Sequence, residues 1–149
     1  MRAVIQRVDH ASVKINHREI SSISKGILLL LGVEKADTEV DSDYILEKAI
    51  NLSIFEDDQD KMNKSLLDIQ GAMMVVPQFT LLGNCIKGRR PSFTAAEEPQ
   101  KANELYEYFV HKAQEKVTHL ATGRFQEMMK IELINDGPVT ILLDSRKNF

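Results

Sequence analysis

Apolar and polar residues alternate near the start of the chain in a pattern that predicts β-strands. The segment 11–16 alternates Ala, Val and Ile with Ser, Lys and Asn, and a β-branched stretch from Val4 to Val8 precedes it. A turn is expected at Asn16-His17-Arg18. The glycine-bounded run from Gly26 to Val33 is apolar at successive positions, which is typical of a strand covered on both faces. It is expected at the centre of the sheet.

Two helices are indicated by apolar residues at helical spacing. The first begins at Thr38, where Asp41 completes a capping-box pattern, and its buried stripe is Ile45, Leu46, Ala49, Ile50 and Ile54. The polar run from Glu56 to Lys61 is expected to end it in a solvated turn, because a calcium loop would need glycine at its sixth position and glutamate at its twelfth. The second begins at Pro99, and its stripe is Ala102, Leu105, Tyr106, Phe109, Val110, Ala113 and Val117.

The remaining apolar runs predict further strands. Ala72 to Val76 is expected to continue as a strand into Pro77-Gln78-Phe79-Thr80-Leu81. Near the carboxyl end, Ile131 and Leu133 form one strand and the run from Val139 to Leu143 another, with a turn at Asn135-Asp136-Gly137-Pro138 between them. No linker or repeat divides the chain, so residues 1–149 are expected to form a single α/β domain.

Composition and charge narrow the classes of protein. The 149 residues are 43% hydrophobic and 28% charged, which suits one globular domain. The single Cys85 and the absence of a leader predict a reducing, cytoplasmic setting. The longest apolar run, Ile27 to Leu31, is far below the roughly 20 residues of a membrane span. A net charge of −3 argues against indiscriminate nucleic-acid binding, so an RNA partner would meet a local basic patch such as Lys87, Arg89 and Arg90.

Several common catalytic schemes lack their residues. There is no serine elbow, no Walker loop, no His-Glu-x-x-His pattern and no pair of cysteines. The four histidines are never spaced at three or four, so no metal or cofactor is expected. Cys85 lies in the basic loop without a recognisable base, and a Cys85-dependent acyl hydrolase stays an alternative.

Two segments place special residues at strand ends. In a pleated strand, Gln78 and Thr80 project to one side and Phe79 to the other, which would present an amide and a hydroxyl together. Gly137-Pro138 offers two backbone carbonyls with no side chain over the glycine, and X-Pro is the one peptide bond whose cis form costs little. An ordinary strand end and an ordinary turn are the competing interpretations.

These two segments belong to a longer set of ordered matches through which the sequence resembles the D-aminoacyl-tRNA deacylase family. The resemblance covers essentially the whole chain. Its motifs are Met1-Arg2-Ala3-Val4-Ile5-Gln6-Arg7-Val8, Leu30-Leu31-Gly32-Val33-Glu34-Lys35, Asn51-Leu52, Ile54-Phe55-Glu56-Asp57, Lys61-Met62-Asn63, Gln78-Phe79-Thr80-Leu81, Gly88, Arg90-Pro91-Ser92-Phe93, Thr122-Gly123-Arg124-Phe125, Asn135-Asp136-Gly137-Pro138-Val139-Thr140 and Leu143-Asp144-Ser145.

The resemblance implies a compact α/β homodimer with a barrel-like mixed sheet and two main helices, which hydrolyses the ester of a D-amino acid, or of glycine, on tRNA. It implies a catalytic segment at Gln78-Phe79-Thr80 and a Gly-cis-Pro element inserted from the other subunit at Gly137-Pro138. It also assigns supporting roles and an adenosine pocket. The supporting residues are Arg7, Asn135 and Thr140, and the pocket residues are Phe125 and Met129.

The sequence departs from the family pattern at Pro77, where the family usually has serine. Proline removes a hydroxyl and a backbone donor there. Related deacylases with altered chiral selectivity carry proline at this position, so a deacylase with relaxed selectivity is one alternative. A dimeric tRNA-binding module without catalysis is another.

A mechanism that fits these residues reads the groups on Cα rather than the side chain. We expect the carbonyls of Gly137 and Pro138 to receive the ammonium group of a D-amino acid, while an L side chain would collide with them. Gln78, Thr80 and nearby backbone amides are expected to orient water and bind the oxyanion, with a ribose hydroxyl assisting. Thr80 as a nucleophile is the weaker hypothesis, because it lacks a base.

Overall fold

Two long strands form the spine of the sheet. In the computed structural model, which describes all of residues 1–149, β1 spans Arg2–Ile15 and β8 spans Lys130–Asp144, and the two pair antiparallel on both sides of a bulge. The other edge of β1 is shared by two strands. Its first half pairs with β3 (Gly26–Gly32) and its second half with β2 (Arg18–Ile23).

The sheet continues from β3 through two parallel strands. β6 (Ala72–Pro77) pairs with β3, and β7 (His119–Thr122) pairs with β6. The Ser21 hydroxyl on β2 donates to the Thr122 carbonyl on β7 at 2.9 Å, so the two outer strands meet and the sheet curls into a nearly closed barrel. The predicted α/β class, with a mixed, barrel-like sheet, is confirmed.

Helix α1 (Glu39–Asn51) and helix α2 (Pro99–Lys116) pack together over one side of the sheet. Between them and the strands lies the larger hydrophobic core, which includes Ile5, Ile27, Leu29, Leu31, Ile45, Leu46, Ile50, Val75 and Phe109. A second cluster fills the other side, and it includes Val8, Ala11, Val13, Leu28, Met74 and Val76. Neighbouring residues of β3 therefore enter both clusters, which confirms the prediction of a strand buried on both faces.

The ends of α1 differ in how well the sequence predicts them. The Asp41 carboxylate accepts a hydrogen bond from the Thr38 amide at 2.8 Å, as the capping-box pattern predicts. The helix ends at Asn51, however, and Ile54 is buried in the segment that follows it, so its assignment to the helical stripe was wrong. Burial alone satisfies the apolar spacing there without continuing the helix.

The predicted polar turn after α1 is confirmed as the connection of a small hairpin. Strand β4 (Phe55–Glu56) pairs with β5 (Met62–Lys64). The Asp57 carboxylate closes the turn, because it accepts hydrogen bonds from the Gln59 amide at 2.8 Å and from the Asn63 side chain at 2.7 Å.

Candidate active site

The segment Gln78-Phe79-Thr80 forms a tight turn at the end of β6. The predicted continuation of the strand is wrong, because residues Phe79–Leu82 form a single 3₁₀ turn. The backbone amide of Gln78 still donates to the Leu31 carbonyl at 2.8 Å, and the chain then leaves the sheet. A Cβ on Gly32 would lie 2.9 Å from the Gln78 carbonyl oxygen, so the turn sits where β3 has no side chain.

The turn nevertheless brings the predicted amide and hydroxyl together. The Gln78 side-chain amide donates directly to the Thr80 hydroxyl. Phe79 projects outward and is 59% exposed, and its ring meets that of Phe93 edge-on with a centroid separation of 5.2 Å. The expected pairing of polar groups is therefore met by a turn rather than by a pleated strand.

A cavity of about 430 Å³ opens beside this turn. Pro77, Gln78 and Phe79 line one side of it, and Phe125 and Met129 line another, so the structure brings the proposed catalytic segment and the proposed adenosine pocket together. Thr80 lies next to the cavity but does not line it. The lining is mainly apolar with a few polar groups, which is the usual character of a small-molecule site.

Close packing around Gly123 involves two residues that line this cavity, Pro77 and Met129. A Cβ on Gly123 would lie 2.8 Å from the Met129 sulfur and 3.4 Å from the Pro77 ring. The Met129 sulfur also accepts a hydrogen bond from the Arg124 amide at 3.4 Å. The missing side chain at Gly123 therefore allows Met129 and Pro77 to approach each other.

Tyr106 on α2 belongs to the cavity lining, although its place in the apolar stripe predicts only a core residue of the helix. It lines the cavity, it is 5% exposed, and its hydroxyl lies 3.1 Å from the Val75 carbonyl and 3.3 Å from the Gly123 carbonyl. Burial raises the pKa of this hydroxyl well above its ordinary value, so it stays a neutral donor. Its ring centroid is 6.2 Å from that of Phe125. One sign of this role is present in the sequence: Tyr106 has a hydroxyl, and it lies in the otherwise apolar stripe of α2.

The Gly137-Pro138 segment is a bulge in β8 and not a hairpin turn. The predicted turn between two strands is wrong, because the residues on either side both pair with β1, with Gln6 opposite Thr140 and Val8 opposite Asn135. Between these pairs, Arg7 of β1 lies opposite the four residues 136–139 of β8, so these residues bulge out of the strand pairing. The Gly137-Pro138 peptide bond is cis, and both residues are exposed.

Asn135 and Thr140 close the base of this bulge. The Asn135 side-chain oxygen accepts from the Val139 amide at 3.0 Å, and its amide nitrogen donates to the Thr140 hydroxyl at 3.1 Å. The Gln6 side chain donates to the same hydroxyl at 3.4 Å. These bonds satisfy backbone and side-chain groups that the bulge removes from the ladder.

Arg7 holds the bulge from inside the protein. It is 3% exposed, and its Nε donates to the Asp136 carbonyl at 3.1 Å while its Nη1 donates to the Ile54 carbonyl at 2.7 Å. The same side chain pairs with the carboxylates of Asp136 at 3.2 Å and Glu56 at 2.9 Å. The hydrogen bond from Arg7 lowers the pKa of Glu56 below its ordinary value. The guanidinium thus joins the bulge to the β4 hairpin.

Within one chain, Gly137 and Pro138 do not line the cavity beside Gln78.

The basic loop lies away from the cavity and is exposed; its cationic residues are Lys87, Arg89 and Arg90. Its ends are joined by two backbone hydrogen bonds between Asn84 and Ser92, at 2.8 and 2.9 Å. Cys85 is free and exposed in the same loop.

Neither a clustered metal site nor a membrane-crossing helix is found. No group of three or more His, Cys, Asp or Glu side chains is arranged to hold a metal ion. Neither α1 nor α2 combines the length and apolar character that crossing a membrane requires.

Comparison with known proteins identifies the family to which these features belong. The family model described as D-Tyr-tRNA(Tyr) deacylase matches residues 4–144, nearly the whole chain. The chain belongs to this deacylase family. The resemblance stated from the motifs, and the expectation of an enzyme that hydrolyses esters, are confirmed.

The match to related proteins extends over nearly the whole length of each chain. The chain is 60% identical to the D-aminoacyl-tRNA deacylase of Syntrophus aciditrophicus (strain SB), with 100% of each chain covered. Among solved structures it is similar to the c-Myc DNA unwinding element binding protein, with 37% identity, a TM-score of 0.92, and coverage of 97% of this chain and 98% of the other. A probable eukaryotic D-amino acid tRNA deacylase shares the fold, with 16% identity, a TM-score of 0.80, and coverage of 96% and 98%.

Proposed function

We propose that this deacylase hydrolyses the ester bond between a D-amino acid and the terminal adenosine of tRNA, releasing the amino acid and free tRNA. The observation that carries the proposal is the single cavity lined both by the Gln78 turn and by Phe125 and Met129. The apolar side of this cavity suits a base, since aromatic and thioether side chains pack well against a purine. The polar side lies where the ester would then be placed.

In the proposed reaction a water molecule attacks the ester carbonyl carbon. The side-chain amide of Gln78 and the Thr80 hydroxyl, which are hydrogen-bonded to each other, orient the ester and the water. Backbone amides at the start of the 3₁₀ turn stabilise the negative charge on the carbonyl oxygen. The bond to the ribose oxygen breaks, and that oxygen takes up the proton of the water, with the neighbouring ribose hydroxyl assisting the transfer. No protein nucleophile is needed.

Chiral selection is proposed to come from a second copy of the chain. Gly137 and Pro138 are exposed and lie outside the cavity of their own chain, and Arg7 anchors the residue before them through the Asp136 carbonyl. In a two-fold homodimer each subunit would present this bulge to the cavity of the other. Their carbonyl oxygens would accept hydrogen bonds from the ammonium group of a D-amino acid, whereas an L side chain would collide with the same backbone.

Glycine has no side chain to collide, so glycyl-tRNA is a proposed substrate as well. Pro77 lines the cavity and cannot supply the hydroxyl or the amide that serine would. Relaxed chiral selectivity is therefore the second candidate, and it predicts a smaller preference for D over L substrates in this protein than in its Pro77→Ser variant.

The basic loop is proposed to contact tRNA phosphates. Lys87, Arg89 and Arg90 are exposed, and none of them makes an ion pair within the chain. They are therefore available to phosphate oxygens, which dominate RNA affinity and make it salt-dependent. Because the proposed substrate is tRNA, the cytoplasm is the proposed site of the activity. Reversing all three charges should weaken tRNA binding and flatten its salt dependence.

The deciding experiment incubates the purified protein with matched D- and L-aminoacyl-tRNAs and with glycyl-tRNA. We expect hydrolysis of the D and glycyl esters, and a loss of about 10²- to 10³-fold in kcat in Gln78→Ala. Binding of tRNA without hydrolysis would support a tRNA-binding module instead. Loss of activity after alkylation of Cys85 would favour the cysteine-dependent alternative.

The cross-subunit arrangement has a separate test. Gln78→Ala and Gly137→Ala subunits are prepared singly, checked as dimers by sedimentation, and then mixed by co-expression. If each site takes Gln78 from one subunit and Gly137 from the other, half of the dimers carry one intact site, and activity returns to about a quarter of wild type. Mixtures as inactive as the single variants would show that both residues act in the same chain.

A further inference from the structure

A polar groove lies next to the adenosine cavity, which is the cavity lined by Gln78, Phe125 and Met129. This groove, here named the α2 groove, has a volume of about 480 Å³ and shares Tyr106 and Phe125 with that cavity. From α2 it is lined by the polar residues Asn103, Glu107, His111 and Gln114, and it is closed by the segment from Thr122 to Phe125. The first three follow one another at intervals of four, so they form a row along one face of the helix.

The side chains of the α2 groove have hydrogen-bonding capacity that the protein does not use. The Arg124 guanidinium and the Gln114 amide make no hydrogen bond or ion pair within the chain, although the Arg124 backbone amide is bonded to Met129. The Asn103 amide donates only a long bond of 3.4 Å to the Glu107 carboxylate. Amides and a carboxylate match the edges of bases, and a guanidinium matches a phosphate.

The α2 groove lies directly beside the adenosine cavity, and this position indicates what kind of ligand it binds. Because Tyr106 and Phe125 line both spaces, a group in the groove is separated from the adenosine cavity by the thickness of one side chain. In other proteins the bases of a single strand stack on aromatic side chains in grooves that carry positive charge. A larger groove of about 770 Å³ at the amino ends of β6 and β7 shares no lining residue with the cavity.

We propose that the α2 groove binds the nucleotide immediately 5′ of the terminal adenosine, which is a cytidine in tRNA. The inference rests on the proposed function, since it takes the adenosine to occupy the first cavity. Glu107 accepts a hydrogen bond from the exocyclic amine of the cytosine, Asn103 and Gln114 contact the remaining edge, and Arg124 pairs with the phosphate that joins the two nucleotides. The Thr122-Gly123-Arg124-Phe125 motif then serves both nucleotides, because Phe125 lies between the two spaces and Arg124 lines the groove.

The test compares AMP with the dinucleotides CpA and GpA as ligands, titrated calorimetrically into the intact protein. We expect wild type to bind CpA about tenfold more tightly than AMP and more tightly than GpA. In Arg124→Gln the ratio of CpA to AMP affinity should fall towards one, and in Glu107→Gln the preference for CpA over GpA should shrink. Lys112→Gln, which removes a charge from the same helix outside the groove, is the matched control and should keep both ratios.

The outcomes separate this inference from the function on which it rests. Binding of AMP with no gain for CpA, or a gain that survives in Arg124→Gln, overturns the α2 groove assignment alone. Failure of AMP to bind overturns the adenosine cavity and this inference together. Hydrolysis of D-aminoacyl-tRNA is measured independently, so it shows whether the deacylase activity stands in either case.

Discussion

Replacement of the buried Arg7 by methionine should loosen the Gly137-Pro138 bulge. Methionine keeps most of the length and apolar surface of the arginine stem but removes every donor. The carbonyls of Asp136 and Ile54, which accept from Arg7 at 3.1 and 2.7 Å, would then lose their partners. Because Asp136 directly precedes the bulge, the carbonyls of Gly137 and Pro138 would lose the anchor that sets their direction.

The loss of unfolding free energy in Arg7→Met can be estimated from these contacts. A hydrogen bond to a charged group contributes about 1.5–3 kcal/mol. The Asp136 bond is only partly buried and takes the lower value, whereas the Ile54 bond is buried and takes the higher one. The ion pairs with Glu56 and Asp136 involve carboxylates that are 38% and 32% exposed, so solvent screening leaves them little to add. The two bonds together give a loss of about 4.5 kcal/mol, and a chain of this length should melt roughly 9–18 °C lower.

Two assays on the same preparation check this. Urea unfolding gives the loss of stability, and kcat/KM for matched D- and L-aminoacyl-tRNAs gives the chiral selectivity at a temperature where the variant is folded. We expect both to fall in Arg7→Met and neither in Arg18→Gln, which changes an exposed arginine on β2. A destabilised variant with unchanged selectivity would refute the link between the anchor and chiral discrimination, and unchanged stability would refute the energy estimate.

Three further predictions follow from single contacts. Gly137→Ala should lower the free energy of unfolding by about 1–3 kcal/mol, since φ is +123° and the new Cβ would lie 2.8 Å from a neighbouring side chain. Gly88→Ala also places alanine at a positive φ, +72°, but its Cβ would meet no neighbouring atom, so it should lose less. Guanidinium unfolding measures both losses. The pKa of Glu56 is lowered in the folded state, so its stabilisation is present above the ordinary value of 4.5 and lost as the pH falls through the lowered one; Glu56→Gln should remove that part of the acid sensitivity, read from urea midpoints at several pH values. Tyr106→Phe should cost about 1 kcal/mol of stability and weaken AMP binding. Tyr108→Phe, which removes an exposed hydrogen bond to Asp43 from the same helix, should cost less and leave AMP binding unchanged; calorimetry measures both effects.

The local elements of this protein could be predicted from the sequence because each depends on neighbours along the chain. The apolar spacing of α2, the start of α1 and the two-sided burial of β3 all follow from residues within a few positions of one another. Strand β7, only four residues long, is too short for such periodicity and was missed. The motifs that identified the family are likewise continuous stretches of sequence.

The arrangement of the site was decided by tertiary structure. The 3₁₀ turn after Pro77 depends on where β3 ends, and the bulge at Gly137 exists because both halves of β8 pair with one strand, β1. Arg7 reaches Asp136 across 129 positions, and Tyr106 reaches the Val75 carbonyl across 31. Residue patterns set which segments are strands or helices, but contacts at such separations arise only when those segments pack, since packing fixes which side chains meet.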